Sequence, residues 1–83
     1  MAQFLFFGRF KDVSGDLAMD LPRAVSSSHD LIEWLSETLE GFSAEWQRPG
    51  ARMAVNKELI IESDPVSVAD DDEIAFMSAL SGG

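Results

Sequence analysis

Apolar and polar positions along the chain fall into short segments of different period, and the periods assign the elements. Gln3-Phe4-Leu5-Phe6-Phe7 is too short for a helix and rich in aromatics. It reads as a strand apolar on both faces and therefore central in its sheet. Gly8 breaks it, and Arg9 to Val13 has room for one helical turn, ended by Ser14-Gly15. Leu17, Met19 and Leu21 recur at period two until Pro22 stops them, the signature of a strand with one buried face. Ser26-Ser27-Ser28 then offers N-caps, and Ser27 with Asp30 three positions on forms a capping box in which Asp replaces the usual Glu or Gln. Leu31, Leu35, Leu39 and Phe42 recur at i, i+4, i+8 and i+11, while Glu33, Glu37 and Glu40 turn away. This spacing predicts an amphipathic helix over Asp30 to Glu40, stopped at Gly41.

Phe42 to Gly50 reads as a loop with room for a helical turn, closed by Pro49-Gly50. Trp34 is placed at the core edge, with Trp46 covering it from that loop. Arg52 to Val55 is a strand, Asn56-Lys57 a tight turn and Glu58 to Ile61 its return. Lys at positive φ is unfavourable there. Asp70-Asp71-Asp72 makes a polar corner before the last strand, Glu73 to Met77. The order strand, strand, helix, hairpin, strand predicts an α+β fold of the β-grasp type. One main helix crosses one face of a mixed sheet of about four to five strands, whose first and last members pair in parallel. A ferredoxin-like α+β fold is the runner-up, disfavoured because the sequence supplies one convincing helix where that fold wants two. Residues 1–83 form one domain on this reading, with a flexible tail over about 78–83.

Composition narrows the class. Six Lys and Arg against 15 Asp and Glu give a formal charge of −9. Phosphate binding needs clustered cations, so nucleic acid is an unfavourable partner, as is an anionic membrane. The charge favours a basic protein partner instead. No apolar run approaches the roughly 18 residues of a membrane span, and no export signal is visible, so a cytoplasmic location is expected. Cysteine is absent, which removes disulfides, thiolate metal sites and cysteine nucleophiles together.

Few residues offer chemistry of their own. His29, the single histidine, falls at the start of the helix, where the dipole disfavours imidazolium. Asp70-Asp71-Asp72-Glu73 lacks the alternating ligands and loop glycine of a calcium site and reads as a solvated turn. No metal site is expected. What remains is the C-terminal Gly82-Gly83, which is either a frayed end or a functional one. Two residues without Cβ can thread a narrow channel in a partner. They end in a carboxylate that is ionised at neutral pH, its reference pKa being about 3.5. Such a carboxylate can attack an ATP phosphorus to give an acyl-adenylate, and a sulfur nucleophile can then displace AMP. Every catalytic group for those steps must come from other proteins.

The strands add a surface. If Phe4, Phe6, Ile74 and Phe76 lie under the helix, Leu5, Phe7, Ala75 and Met77 share the opposite face, but a period-two pattern does not say which side is inside. An uncovered apolar face beside the tail is a partner surface; the alternative is burial under loops. The candidate partner-binding residues are Phe7, Phe76, Met77 and Leu80.

The opening Leu5-Phe6-Phe7-Gly8, Ala54-Val55-Asn56 before the return strand, and Asp71-Asp72-Glu73-Ile74-Ala75-Phe76 leading to Ser81-Gly82-Gly83 resemble the MoaD family of ubiquitin-like sulfur carriers, the small subunits of molybdopterin synthase. The resemblance covers essentially the whole chain. It implies a β-grasp fold and a heterotetramer of two small and two large subunits. It also implies that the Gly83 carboxylate is adenylated by an E1-like, ATP-using enzyme and converted to a thiocarboxylate by a sulfur donor system. With Gly82 and Ser81 as its approach, that tail would enter the large subunit's active site and donate sulfur to cyclic pyranopterin monophosphate for molybdenum cofactor. The carrier itself would be non-catalytic and hold no resident cofactor, with ATP consumed by the activating enzyme. The chain departs from the family in carrying Met77-Ser78-Ala79-Leu80 where prolines are frequent, and Lys57 where Gly is common. Sulfur carriers for thiamine or tRNA thiolation, a ubiquitin-like protein modifier, and a β-grasp interaction module with an incidental Gly-Gly end are the alternatives.

Overall fold

The computed structural model describes residues 1–61 and 63–78. The elements in order are β1 (Ala2–Phe6), a 3-10 helix (Gly8–Asp12), β2 (Leu17–Met19), α1 (Ser28–Thr38), α2 (Phe42–Trp46), β3 (Arg52–Val55), β4 (Glu58–Leu59) and β5 (Glu73–Met77). The sheet order is β2-β1-β5-β3-β4, with β1 and β5 parallel and the other neighbours antiparallel. This is the β-grasp arrangement, and the two most apolar strands do sit side by side inside the sheet. Phe4 lies opposite Ile74 and Phe6 opposite Phe76.

Alternation along those strands sends one set of side chains under the helices. Phe4, Phe6, Met53, Ile74 and Phe76 are buried and meet Leu31 and Leu35 of α1, Phe42 of α2 and Phe10 of the 3-10 helix. Burying a large apolar side chain stabilises the fold by about 1.5–3 kcal/mol. The aromatic rings gain further from their geometry. Phe42 meets Phe76 edge to face at 4.9 Å between ring centres, and Phe6 stacks on Phe76 at 5.8 Å.

The boundaries differ from the sequence expectation where side chains outside the periodic pattern intervene. Helix α1 starts and stops two residues early. The Ser27 hydroxyl accepts the Asp30 N–H at 3.2 Å, which places the N-cap at Ser27. At the other end Leu39 is already extended. Gly41, expected to stop α1, instead takes φ 88° as the N-cap of α2. Phe42 therefore enters the core from a second short helix and does not continue the α1 stripe. Trp46 does not cover Trp34. It stacks on Phe42 and meets Phe76 at right angles, while Trp34 packs on Phe4. Strand β2 ends at Met19 because the Leu21 N–H goes to the Asp70 carboxylate, 2.8 Å away, and not to β1.

The tight turn after β3 has positive φ at both Asn56 (51°) and Lys57 (72°), the pairing a two-residue hairpin demands. Asn56 secures it. Its side-chain oxygen accepts the Glu73 N–H and its amide nitrogen donates to Asp72, both at 2.9 Å. The turn is thereby pinned to the start of β5, which offsets the strain at Lys57.

Candidate functional site

The site begins where β5 ends. Phe76 has no exposed surface and is the hub of an aromatic cluster, touching Phe6, Phe10, Phe42 and Trp46. Its assignment as a partner-binding residue is therefore corrected. The alternation that puts Ile74 in the core puts Phe76 there too, and it acts by fixing the end of the strand. Met77 follows on the opposite face and Ser78 after it, both half-buried. Gly83, Gly82, Ser81 and Leu80, the remaining candidates, and nearly all of the predicted tail lie outside the described residues.

The strand end is tied to the start of the 3-10 helix. The Phe7 N–H donates to the Phe76 carbonyl at 2.9 Å, and the Arg9 N–H donates to the Ser78 hydroxyl oxygen at 2.9 Å. Gly8 lies between them with φ +61°, and a Cβ placed there would collide with the Ser78 hydroxyl. Only glycine suits a position with both demands.

The face away from α1 settles the choice that periodicity left open. Phe7 (44% exposed) and Met77 lie on it and line one groove with Gly8, Gly50, Arg52, Leu59 and Ser78. Met77 sits opposite Arg52, and Leu59, 66% exposed, sits opposite Ala54. An apolar groove in which Arg52 is the cation among the described residues, directly beside the tail root, can receive a partner's apolar side chain and one of its acceptors. The reading from the sequence found Phe7 and Met77. It missed Leu59 and Arg52, although the pairing that follows from an Asn56-Lys57 turn carries both to that face. Gly8, read there as a strand breaker, and Ser78 gave no functional signal either.

Other groups have structural roles. Asp70 accepts the Leu21 N–H and Asp72 the Ala69 N–H, each at 2.8 Å, so the acidic corner organises the loop before β5. The Leu21 N–H, followed by the Met1 ammonium, holds the Asp70 carboxyl below the usual range. His29 is exposed on the first turn of α1. Among the described residues no cluster of His, Asp and Glu could hold a metal ion, and no helix is long and apolar enough to cross a membrane.

Comparison with known proteins gives two findings. The ThiS family matches residues 4–83. The chain is also 31% identical over 83 residues to a molybdopterin synthase sulfur carrier subunit of Dictyostelium discoideum, covering 98% of this chain and 94% of that one.

Proposed function

The chain belongs to the ThiS family, a family of sulfur carriers, and from that premise we propose that it is the small, sulfur-carrying subunit of a molybdopterin synthase. In this proposal the Gly83 carboxylate attacks the α-phosphorus of ATP on an E1-like enzyme, forming the acyl-adenylate and releasing pyrophosphate. Hydrosulfide released by a sulfur donor then attacks the carbonyl carbon, AMP leaves with the bonding pair, and loss of the sulfur-borne proton leaves the terminus as a thiocarboxylate. The charged tail enters a large subunit, which supplies the catalytic groups; its sulfur bonds to a carbon of the pterin precursor, and water cleaves the resulting thioester, leaving the sulfur on the pterin and restoring the Gly83 carboxylate. The absence of cysteine suits this chemistry, since no internal thiol competes for the activated carbonyl.

The observation that carries the reading is near full-length similarity to a molybdopterin synthase carrier subunit, with a family match that runs through Gly83. The groove formed by Phe7, Met77, Leu59 and Arg52 supports it as a docking face beside the tail. A carrier that visits two enzymes in turn profits from an adaptable contact such as Met77.

Intact-mass spectrometry of the chain from its own cells, with terminal fragments sequenced, tests the proposal. The expected result is an oxygen-to-sulfur gain in mass on Gly83 that disappears when Gly83 is deleted, with the fold unchanged by circular dichroism. A carboxylate that stays unmodified even without the large subunit would sink it. Loss of molybdoenzyme activity on gene deletion, without thiamine auxotrophy, separates this pathway from that of the thiamine carriers.

A further inference from the structure

The parallel ladder between β1 and β5 advances with a constant offset. The Gln3 N–H donates to Asp72 and the Phe7 N–H to Phe76; both pairs are 69 residues apart (72 − 3 and 76 − 7). The next donor in that series is the Arg9 N–H, and the residue at the same separation is Ser78. By then the first strand has turned away at Gly8 into the 3-10 helix, and among the described residues no backbone carbonyl meets the donor. The Ser78 hydroxyl takes its place at 2.9 Å. The same bond answers a second need. The first N–H groups of any helix lack partners inside it, and the N-cap residue here, Phe7, provides no side-chain cap. A side chain from the opposite end of the protein provides the acceptor instead.

We infer that Ser78 is a positioning residue for the tail: its hydroxyl, locked into the Gly8 turn by the Arg9 N–H, fixes the point from which residues 79–83 set out. The inference deepens the carrier reading and rests on it. Five residues reach at most about 18 Å when extended, so the direction and origin of that reach decide whether the Gly83 carboxylate arrives at a partner's active centre. Proline stiffens a chain through its ring; here the tail has none, and a hydrogen bond at its root does the anchoring. Losing the bond frees residue 78 in the undocked carrier, and docking then costs the entropy of ordering it. Chemistry in the docked state is untouched, because Ser78 stands five residues from the reacting carbonyl. The signature is therefore a raised KM for the carrier with an unchanged kcat.

The test compares wild type, Ser78→Ala and Ser78→Thr in two measurements on the full chain. Amide hydrogen exchange at Arg9 reads the bond itself. It is expected to accelerate about fivefold in Ser78→Ala, as for the loss of one ordinary hydrogen bond, and to be restored in Ser78→Thr, which keeps an acceptor. Steady-state adenylation by the activating enzyme reads positioning, with KM expected to rise about fivefold in Ser78→Ala, kcat constant and Ser78→Thr near wild type. Unchanged exchange at Arg9 would overturn the bond. Faster exchange with an unchanged KM, in an assay where wild type is adenylated, would overturn the positioning role alone. If wild type is not adenylated at all, the carrier reading fails and the positioning role falls with it, whatever the exchange data show.

Discussion

Gly8 shows how much one residue without a side chain can carry. Its φ of +61° disfavours any other residue, and the Ser78 hydroxyl fills the space where a Cβ would be. The left-handed conformation alone costs an ordinary residue about 1–2 kcal/mol, and the collision adds to it. Gly8→Ala is expected to destabilise the fold by about 2 kcal/mol or more in urea unfolding. Removing the hydroxyl relieves part of the clash, although the Ser78 Cβ would still be only 3.3 Å from the new methyl. The double variant Gly8→Ala/Ser78→Ala is then expected to lose less than the sum of the two single changes. An additive result would mean that the two residues do not meet. Nothing in the sequence links positions 8 and 78, because their contact depends on a register set by the whole β1–β5 ladder.

Among the elements, α1 has a start that is set by named side chains. Ser27 caps its first turn, and the Asp30 carboxylate accepts the Ser26 N–H at 3.2 Å. The reciprocal arm of the capping box therefore reaches one residue further out than usual. That backbone bond is the main reason the Asp30 carboxyl is held below its ordinary value, with the Ser27 and Ser26 hydroxyls helping and desolvation opposing. A carboxyl whose pKa is lower in the folded state stabilises above its unfolded value, and the stabilisation disappears as pH falls through the folded one. Asp30→Asn is accordingly expected to lower the urea midpoint at neutral pH. Its difference from wild type should close as pH falls through 3.8 and then the lower folded-state value. A gap that persists at pH well below both would assign the effect to packing. The helix was readable from its leucine spacing. Its early end was not, since Phe42 fits the same period and only the Gly41 turn assigns it to α2.

At the scale of the molecule, the sheet has two apolar faces with different duties. One is filled by α1, α2 and the aromatic cluster around Phe76; the other carries Phe7, Met77 and Leu59 beside the tail root. Phe76→Ala is expected to cost about 3–5 kcal/mol. That is comparable with the total stability of a domain this small, roughly 5 kcal/mol, so the variant should be largely unfolded by circular dichroism at 37 °C. Phe7→Ala is expected to change stability by less than about 1 kcal/mol, being on the surface, while weakening, in titration calorimetry, association with the large subunit that the proposed function requires. If Phe7→Ala bound normally, the groove would not be the docking face. Two neighbouring aromatics on one fold, Phe6 and Phe7, thus act on opposite sides of the sheet.

Local rules account for much of this protein. Strand and helix periods, the Ser27 cap, the Asn56-Lys57 turn and the apolar first and last strands dictate a β-grasp with those two strands in parallel, because each signal acts within a few residues. The chemistry proposed for Gly82 and Gly83 likewise rests on residue types alone. Which face of the sheet is covered does not, since alternation is symmetric until α1 packs on one side and turns Phe76 from surface candidate to core hub. The partnership of Ser78 with the Gly8–Arg9 turn is likewise invisible locally. A bond across 69 residues exists only once the parallel ladder has brought both ends of the chain together.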